Sequence, residues 1–326
     1  MTFPMENRKK KVTLLVPAFN EEEVLDLFYN KVSALIESWG DRYDWELLFI
    51  NDGSTDRTLE VLRRLRQHDS RVNYIDMARN YGKEIGMLAG FDHATGDCVI
   101  TIDADLQEPP ETIPLMLAKW EEGFDDVYGR RRKRKQSFVK RMSSKAYHKL
   151  LAVMSEDVDL ADDSGDFRLL DRKCIDAMSR LRESQRYTKG LYSVIGFRKA
   201  PVDYDISARA AGTSKWTPAK LMRLAVDGIT SHSVMPLRLA SYLGLLVSLF
   251  AFLYLIFVLI KAIAFGDTVA GYPTLICVLL FLGGSILLAL GIIGEYLGRI
   301  FIETKHRPAY FLNSINDSLP KASKNS

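Results

Sequence analysis

Three Asp-x-Asp triplets mark this 326-residue chain: Asp103-Ala104-Asp105, Asp157-Val158-Asp159 and Asp203-Tyr204-Asp205. Two carboxylates one residue apart can ligate a hard divalent cation, and such a cation can neutralise a phosphate or diphosphate. The pattern alone does not choose among the three. Context does, because only Asp103 and Asp105 close a run as apolar as Val99-Ile100-Thr101-Ile102. That places both carboxylates at the end of a buried strand. Asp157 and Asp159 lie in an acidic stretch that reads as a solvated loop, and Asp203 and Asp205 flank a tyrosine beyond a strand. Further polar clusters follow further apolar runs, at Pro17-Ala18-Phe19-Asn20-Glu21, Asn51-Asp52-Gly53-Ser54 and Asp76-Met77-Ala78-Arg79-Asn80.

The elements that must hold these clusters are legible as strand and helix in alternation. Val12–Val16, Glu46–Ile50, Val72–Ile75 and Cys98–Ile102 read as buried strands. Glu21–Ser38, Thr55–Gln67, Lys83–Ala94 and Pro110–Glu121 read as the helices between them. The alternation predicts an α/β domain with a mostly parallel sheet, whose ligands bind at the carboxyl ends of the strands. After about residue 155 the pattern loosens. It predicts a strand near Phe167–Leu170, a helix over Arg172–Leu181 and a strand near Arg198–Val202. No GxGxxG follows the first strand and no GxxxxGK[ST] occurs, so dinucleotide-binding and P-loop readings lose their main support.

Composition averages hide a division. Leu239–Ile260 is 22 residues without a charge, and Thr268–Gly294 another 27. A bilayer core needs about 20 apolar residues in helix, so two transmembrane helices are expected, at about 239–260 and 272–294. Lys220, Arg223 and Arg238 precede them, and Arg299, Lys305, His306 and Arg307 follow, which by the positive-inside rule puts both ends in the cytoplasm. The reading is a domain over 1–215, an amphipathic juxtamembrane helix over 216–234, the hairpin over 235–298 and a tail over 299–326, in the cell inner membrane. The amino-terminal residues do not read as a signal peptide. Cys98, Cys174 and Cys277 form neither a metal-ligand spacing nor a disulfide framework. A net charge of +3 argues against a nucleic-acid binder. The six cations Arg130–Lys135 read as a solvated loop or as a contact with anionic headgroups. Gly294 and Gly298 permit close helix packing, within the hairpin or in a homo-oligomer.

Val16-Pro-Ala-Phe-Asn-Glu-Glu22, Asn51-Asp-Gly-Ser-Thr-Asp56, Arg79-Asn-Tyr-Gly-Lys83 and Asp103-Ala-Asp-Leu-Gln107 occur in that order. Ser164-Gly-Asp-Phe-Arg-Leu169, Arg186-Tyr-Thr-Lys-Gly190 and Ala211-Gly-Thr-Ser-Lys-Trp216 continue the series. Together they resemble the family-two glycosyltransferases with the GT-A fold. With the apolar runs they resemble the polyprenyl-phosphate glycosyltransferases, whose members include dolichyl-phosphate mannose synthases and bactoprenol glucosyltransferases. The resemblance spans roughly residues 12–310.

The resemblance implies a nucleotide-sugar donor, a polyprenyl phosphate acceptor and Mg²⁺ or Mn²⁺. Pro17, Phe19 and Glu21 would line the nucleoside pocket, with Asp52 accepting from the base and Lys83 near the nucleotide. Asp103 would orient the ribose or a metal-bound water, Asp105 would ligate the metal, and Gln107 would stand near sugar or metal. Asp166 matches the family's catalytic Asp; the bland alternative is a strand-end cap paired with Arg168. Arg131, Arg186, Lys189, Arg209, Ser214 and Lys215 are candidates for the acceptor phosphate, because an incoming dianion needs cations opposite the donor. A lipid monophosphate has its second pKa near ~6, so no strong base is demanded, and attack opposite the leaving diphosphate would invert the anomeric centre. Glucose from a UDP-sugar is the expected donor chemistry, with GDP-mannose the alternative. A processive polysaccharide synthase and a non-catalytic nucleotide-sugar scaffold are the rival readings.

Overall fold

The computed structural model describes residues 8–132, 164–183, 186, 188–205, scattered helical positions between 242 and 260, and 271–318. The α/β part is built on β1 (Lys11–Ala18), β2 (Asp44–Asn51), β3 (Val72–Met77) and β4 (Cys98–Thr101), separated by α1 (Leu25–Ser38), α2 (Thr58–His68) and α3 (Lys83–His93). A 3₁₀ turn at Pro110–Thr112 leads into α4 (Ile113–Glu121), which is followed by β5 (Asp126–Arg131). After residue 163 come β6 (Ser164–Asp171), α5 (Arg172–Arg180), α6 (Thr188–Val194) and β7 (Lys199–Tyr204). A long helix, α7 (Tyr272–Glu303), and a short strand, β8 (Leu312–Ile315), complete the described chain.

Among the described residues, eight strands form one sheet in the order β7-β5-β6-β4-β1-β2-β3-β8. The block β4-β1-β2-β3 is parallel throughout. β6 runs antiparallel to β4 and to β5, β7 is parallel to β5, and β8 closes the far edge antiparallel to β3. The central strands are apolar on both faces because both are covered. Val12, Leu14 and Val16 of β1 pack with Leu25 and Phe28 of α1, Leu62 of α2 and Ile113 of α4. Leu15 points the other way, into a second cluster with Met87 and Phe91 of α3, Ile175 of α5 and Tyr192 of α6. The mostly parallel α/β sheet is therefore as the alternation predicts.

Three elements escaped the sequence reading. β5 begins at Asp126, so the basic run is not all loop: Arg130 and Arg131 are strand residues. Arg130 pairs with Asp203 at 2.6 Å and Arg132 with Asp205 at 3.4 Å, which gives the third Asp-x-Asp a structural employment. α6 was not foreseen because its seven residues carry too little periodicity. β8 falls within the stretch that the sequence presents as a tail. The first and third triplets are thus placed, whereas Asp157, Asp159 and the amphipathic stretch 216–234 lie outside the described residues.

A second compact unit is helical. α7 runs 32 residues, and its stretch Phe281–Glu303 is long and apolar enough to cross a membrane, the one such helix among the described residues. It extends past the expected end at 294 because no proline intervenes before Pro308, and isolated charges such as Arg299 do not stop a helix. The described positions of the first expected span, among them Leu246, Phe250, Leu253 and Phe257, are helical and exposed.

Candidate active site

The carboxyl ends of the four parallel strands bring the predicted clusters together. Asn20 takes φ 55°, and the loop after β1 locks onto the loop after β2. Asn20 N–H donates to Ser54 Oγ, Thr55 N–H to Asn20 Oδ1, and Glu21 N–H to Thr58 Oγ1. Pro17 sits at the strand end, and Phe19 is 42% exposed beside it. Asp52 is buried, and its two oxygens accept from the backbone N–H groups of Tyr81 (2.7 Å) and Gly82 (2.8 Å). Burial pushes its carboxyl up, and the two N–H bonds oppose that shift. Asp52 is not an N-cap. It ties the β2 loop to the β3 loop, and each oxygen keeps a lone pair for a further donor. Gly53 is obligatory there: it has φ +62°, and a Cβ on it would meet the Arg79 carbonyl carbon at 2.4 Å.

Lys83 opens α3 and joins two strands. Its ammonium lies 2.6 Å from Asp103 at the end of β4 and 3.0 Å from Asp166 on β6. Burial alone would lower its pKa, and the two carboxylates outweigh burial and hold it above the ordinary range. Asp166 shows the reciprocal effect, since burial pushes it up but Lys83 and then Lys189 hold it below the usual carboxylate range. Its Oδ1 is buried without a hydrogen-bond partner. Arg168 does not pair with Asp166. It forms a buried ion pair with Asp126 at 2.5 Å and stacks 3.9 Å from the Tyr192 ring centroid.

Beyond β4 the chain turns through Leu106 at φ 58°, and Gln107 N–H donates to Asp105 Oδ1 at 3.1 Å. Glu108, which the sequence reading passed over, is only 5% exposed, with Oε2 unpartnered. Burial first, then the charge of Asp103, pushes its carboxyl up to about 7. Arg131 Nη2 approaches Glu108 at 3.5 Å, and Arg131 Nε donates to Tyr204 Oη at 3.1 Å. The signal for Glu108 was its place between Gln107 and Pro109-Pro110, where the prolines fix the backbone. Asp103 and Asp105 offer carboxylate oxygens of the kind a hard divalent cation takes, and Glu108 lies near enough for both their charges to act on it. Among the described residues no three His, Cys, Asp or Glu side chains are grouped to hold a metal by themselves. A cation here would therefore take its remaining ligands from phosphate and water.

Of the acceptor candidates, Arg131 reaches this cluster, and Lys189 is exposed on α6 where its charge acts on Asp166. Arg186 does not. It is buried, and its guanidinium donates to the carbonyls of Leu181 and Met178 at the end of α5. Arg209, Ser214 and Lys215 lie outside the described residues.

Residues 13–178 match the family model described as glycosyl transferase family 2, and residues 235–300 match that of the GtrB C-terminal hairpin. An uncharacterized glycosyltransferase of Bacillus subtilis (strain 168) is 43% identical over 94% of this chain and 94% of its own length. A bactoprenol glucosyl transferase of Shigella phage SfV is 42% identical over 93% of this chain and 98% of its own. A solved structure of glucosyl-3-phosphoglycerate synthase from Mycobacterium tuberculosis is 19% identical, with a TM-score of 0.46 over 68% of this chain and 78% of that one.

Proposed function

The chain belongs to glycosyltransferase family 2 and is a glycosyltransferase, and from that premise we propose that it moves glucose from a UDP-sugar onto a polyprenyl phosphate. The observation that carries the reading is the Lys83 bridge, which sets Asp166 beside the Asp103 carboxylate at the sheet edge. The name of the phage relative, a bactoprenol glucosyl transferase, supports glucose and a polyprenyl acceptor. The apolar runs and the hairpin-family match over 235–300 support two spans and action at the cytoplasmic membrane face.

Asp52 and the loops it ties would receive the nucleoside, with Pro17, Phe19 and Glu21 around it. Asp105, with Asp103 and Gln107, would hold Mg²⁺ or Mn²⁺, which supplies charge neutralisation for the leaving diphosphate when bound. The acceptor phosphate, largely a dianion at neutral pH, brings its own nucleophilic oxygen. Asp166, held ionised by Lys83, orients that phosphate or its cations and is not required as a strong base. Arg131, braced by Glu108 and Tyr204, offers the cation that a second anion needs on the acceptor side. Displacement from the face opposite the diphosphate inverts the anomeric carbon and gives a β-linked lipid phosphate sugar from an α-linked donor.

The test is transfer of radiolabel from UDP-glucose to undecaprenyl phosphate by detergent-purified protein, with and without Mn²⁺ or Mg²⁺. Metal-dependent label in the lipid phase, lost in Asp105→Ala, is the expected result. Transfer from GDP-mannose instead would overturn the donor assignment, and silence with every donor despite nucleotide binding would overturn catalysis by this site.

A further inference from the structure

The residues after α7 return to the domain and brace the loop that holds Asp52. β8 pairs antiparallel with β3, through Ile75–Ile315 and Asp76–Ser314. On either side of that short ladder the contacts continue. Asn316 Oδ1 accepts from Tyr74 N–H, and Asn313 Nδ2 donates to Asp76 Oδ2 at 3.0 Å. Asp317 pairs with Arg63 on α2 at 2.9 Å, and Tyr310 Oη donates to Asp92 on α3 at 2.7 Å. The segment is thus fixed to a strand and to the helices on both sides of it.

The consequence lies where β3 ends. Ala78 N–H donates to the Phe311 carbonyl at 2.9 Å, and Phe311 N–H donates to Tyr81 Oη at 3.2 Å. Residues 78–81 are therefore held by the backbone of one residue, Phe311, whose own side chain is 60% exposed. Arg79 lies 4.4 Å from the Tyr81 ring centroid, and Gly53 packs directly on Arg79 and Asn80. The same Tyr81 and its neighbour Gly82 give the two N–H groups that Asp52 accepts. A continuous path of contacts runs from Phe311 through Tyr81 to the Asp52 carboxylate.

We propose that residues 308–318 are a strap that positions the Arg79–Gly82 loop for nucleotide binding, with Tyr81 and the Phe311 backbone as positioning residues acting through Asp52. The inference rests on the reading of Asp52 as a nucleotide-binding residue. A loop left to find its geometry on binding pays ordering entropy, and one already braced does not. The strap should therefore act on nucleotide affinity and not on the bond-making step. It also satisfies the backbone edge of β3, and that stabilising effect is the plain alternative which the experiment must separate.

The test titrates UDP with Mn²⁺ into the full-length, detergent-purified protein by calorimetry and records thermal melting of each variant. Phe311→Pro removes the N–H that Tyr81 accepts, and Phe311→Ala, which keeps it, is the control. Tyr81→Phe removes the acceptor hydroxyl and leaves the ring and the Arg79 stack in place. Loss of one such hydrogen bond corresponds to a factor of about 3 to 10. Phe311→Pro and Tyr81→Phe are expected to weaken UDP by that factor, with acceptor KM and saturating kcat within about twofold and Phe311→Ala unchanged. A lower melting temperature with unchanged UDP affinity in both variants would reduce the strap to an edge cover and overturn the proposal. Asp52→Ala serves as the separate arm. Unchanged UDP affinity there overturns the nucleotide reading itself, whereas weakened binding in Asp52→Ala with none in the other two overturns the strap alone.

Discussion

The two halves of the sheet hold their functional groups by different means. In the parallel half, β4-β1-β2-β3, the loops are locked mainly by backbone N–H groups on side-chain oxygens: Tyr81 and Gly82 on Asp52, Thr55 on Asn20, Glu21 on Thr58. In the mixed half, β6-β5-β7, the fixings are between side chains: Arg168 with Asp126 and Tyr192, Arg131 with Glu108 and Tyr204. Among the described residues, buried polar atoms without partners lie in or against that second half at Asp126, Asp166, Arg168, Arg186, Thr188 and Tyr192 and at its border at Glu108, while Ser33, Trp45 and Thr101 carry such atoms in the first. Backbone locks make a site whose shape is complete in the free protein. Unpartnered buried groups cost free energy unless a ligand, ion or water meets them. On the proposed assignment, the nucleotide loops are therefore shaped before binding, while Asp166 Oδ1 and Glu108 Oε2 keep acceptors open on the other side.

Lys83 joins the halves at the candidate site itself, through Asp103 and Asp166, so its loss should give the largest effect. Lys83→Met is expected to lower kcat/KM by on the order of a thousandfold, measured as label transferred to lipid; a loss under about tenfold would show that the halves do not need the bridge. Next comes the mixed half's own anchor. Asp126→Ala strands the buried Arg168 cation and should destabilise by about 3–5 kcal/mol, read as a fall in denaturant midpoint. Gly53→Ala probes the parallel half. A Cβ at φ +62° and 2.4 Å from the Arg79 carbonyl carbon should cost about 2 kcal/mol and weaken UDP while sparing acceptor KM. Tyr204→Phe should do the reverse on a smaller scale, raising acceptor KM about fivefold for the roughly 1 kcal/mol of one hydrogen bond. If Gly53→Ala moved acceptor KM as much as UDP affinity, the division of labour between the halves would fail. The smallest effect is on pH dependence. Because Asp166 is held ionised, the residual rate of Asp166→Asn should keep whatever rise the acceptor phosphate imposes near ~6.

Legibility in the sequence followed the same line. Strands β1 to β4 were readable because each is an apolar run buried on both faces, and the clusters after them because loops at strand ends must be polar. Asp52, Asp103 and Asp105 stand in those clusters, Lys83 was named from the family resemblance, and the fold puts all four at one edge. Arg186 was named from its charge alone, and the helix end it caps could not be seen without α5 in place. Glu108 carries no motif of its own, and its burial appears only once β5 and β7 bring Arg131 and Tyr204 over it. The strap was invisible because a four-residue strand has no periodicity to read and its partner lies more than 230 residues earlier.

By itself, then, the sequence determined the elements of the parallel block, the polar edge that carries its chemistry, and two apolar runs long enough to enter a bilayer. These are local properties: hydrophobic period, run length and the residues that end a run are written in neighbouring positions. Only the tertiary structure decided that Asp166 shares a lysine with Asp103, that Arg130 and Arg132 spend their charge on Asp203 and Asp205, and that the end of the chain braces the loop around Asp52. Those pairings join residues that sequence separation leaves independent. They exist because the sheet order, with β6 inserted between β4 and β5, brings their strands to adjacent places.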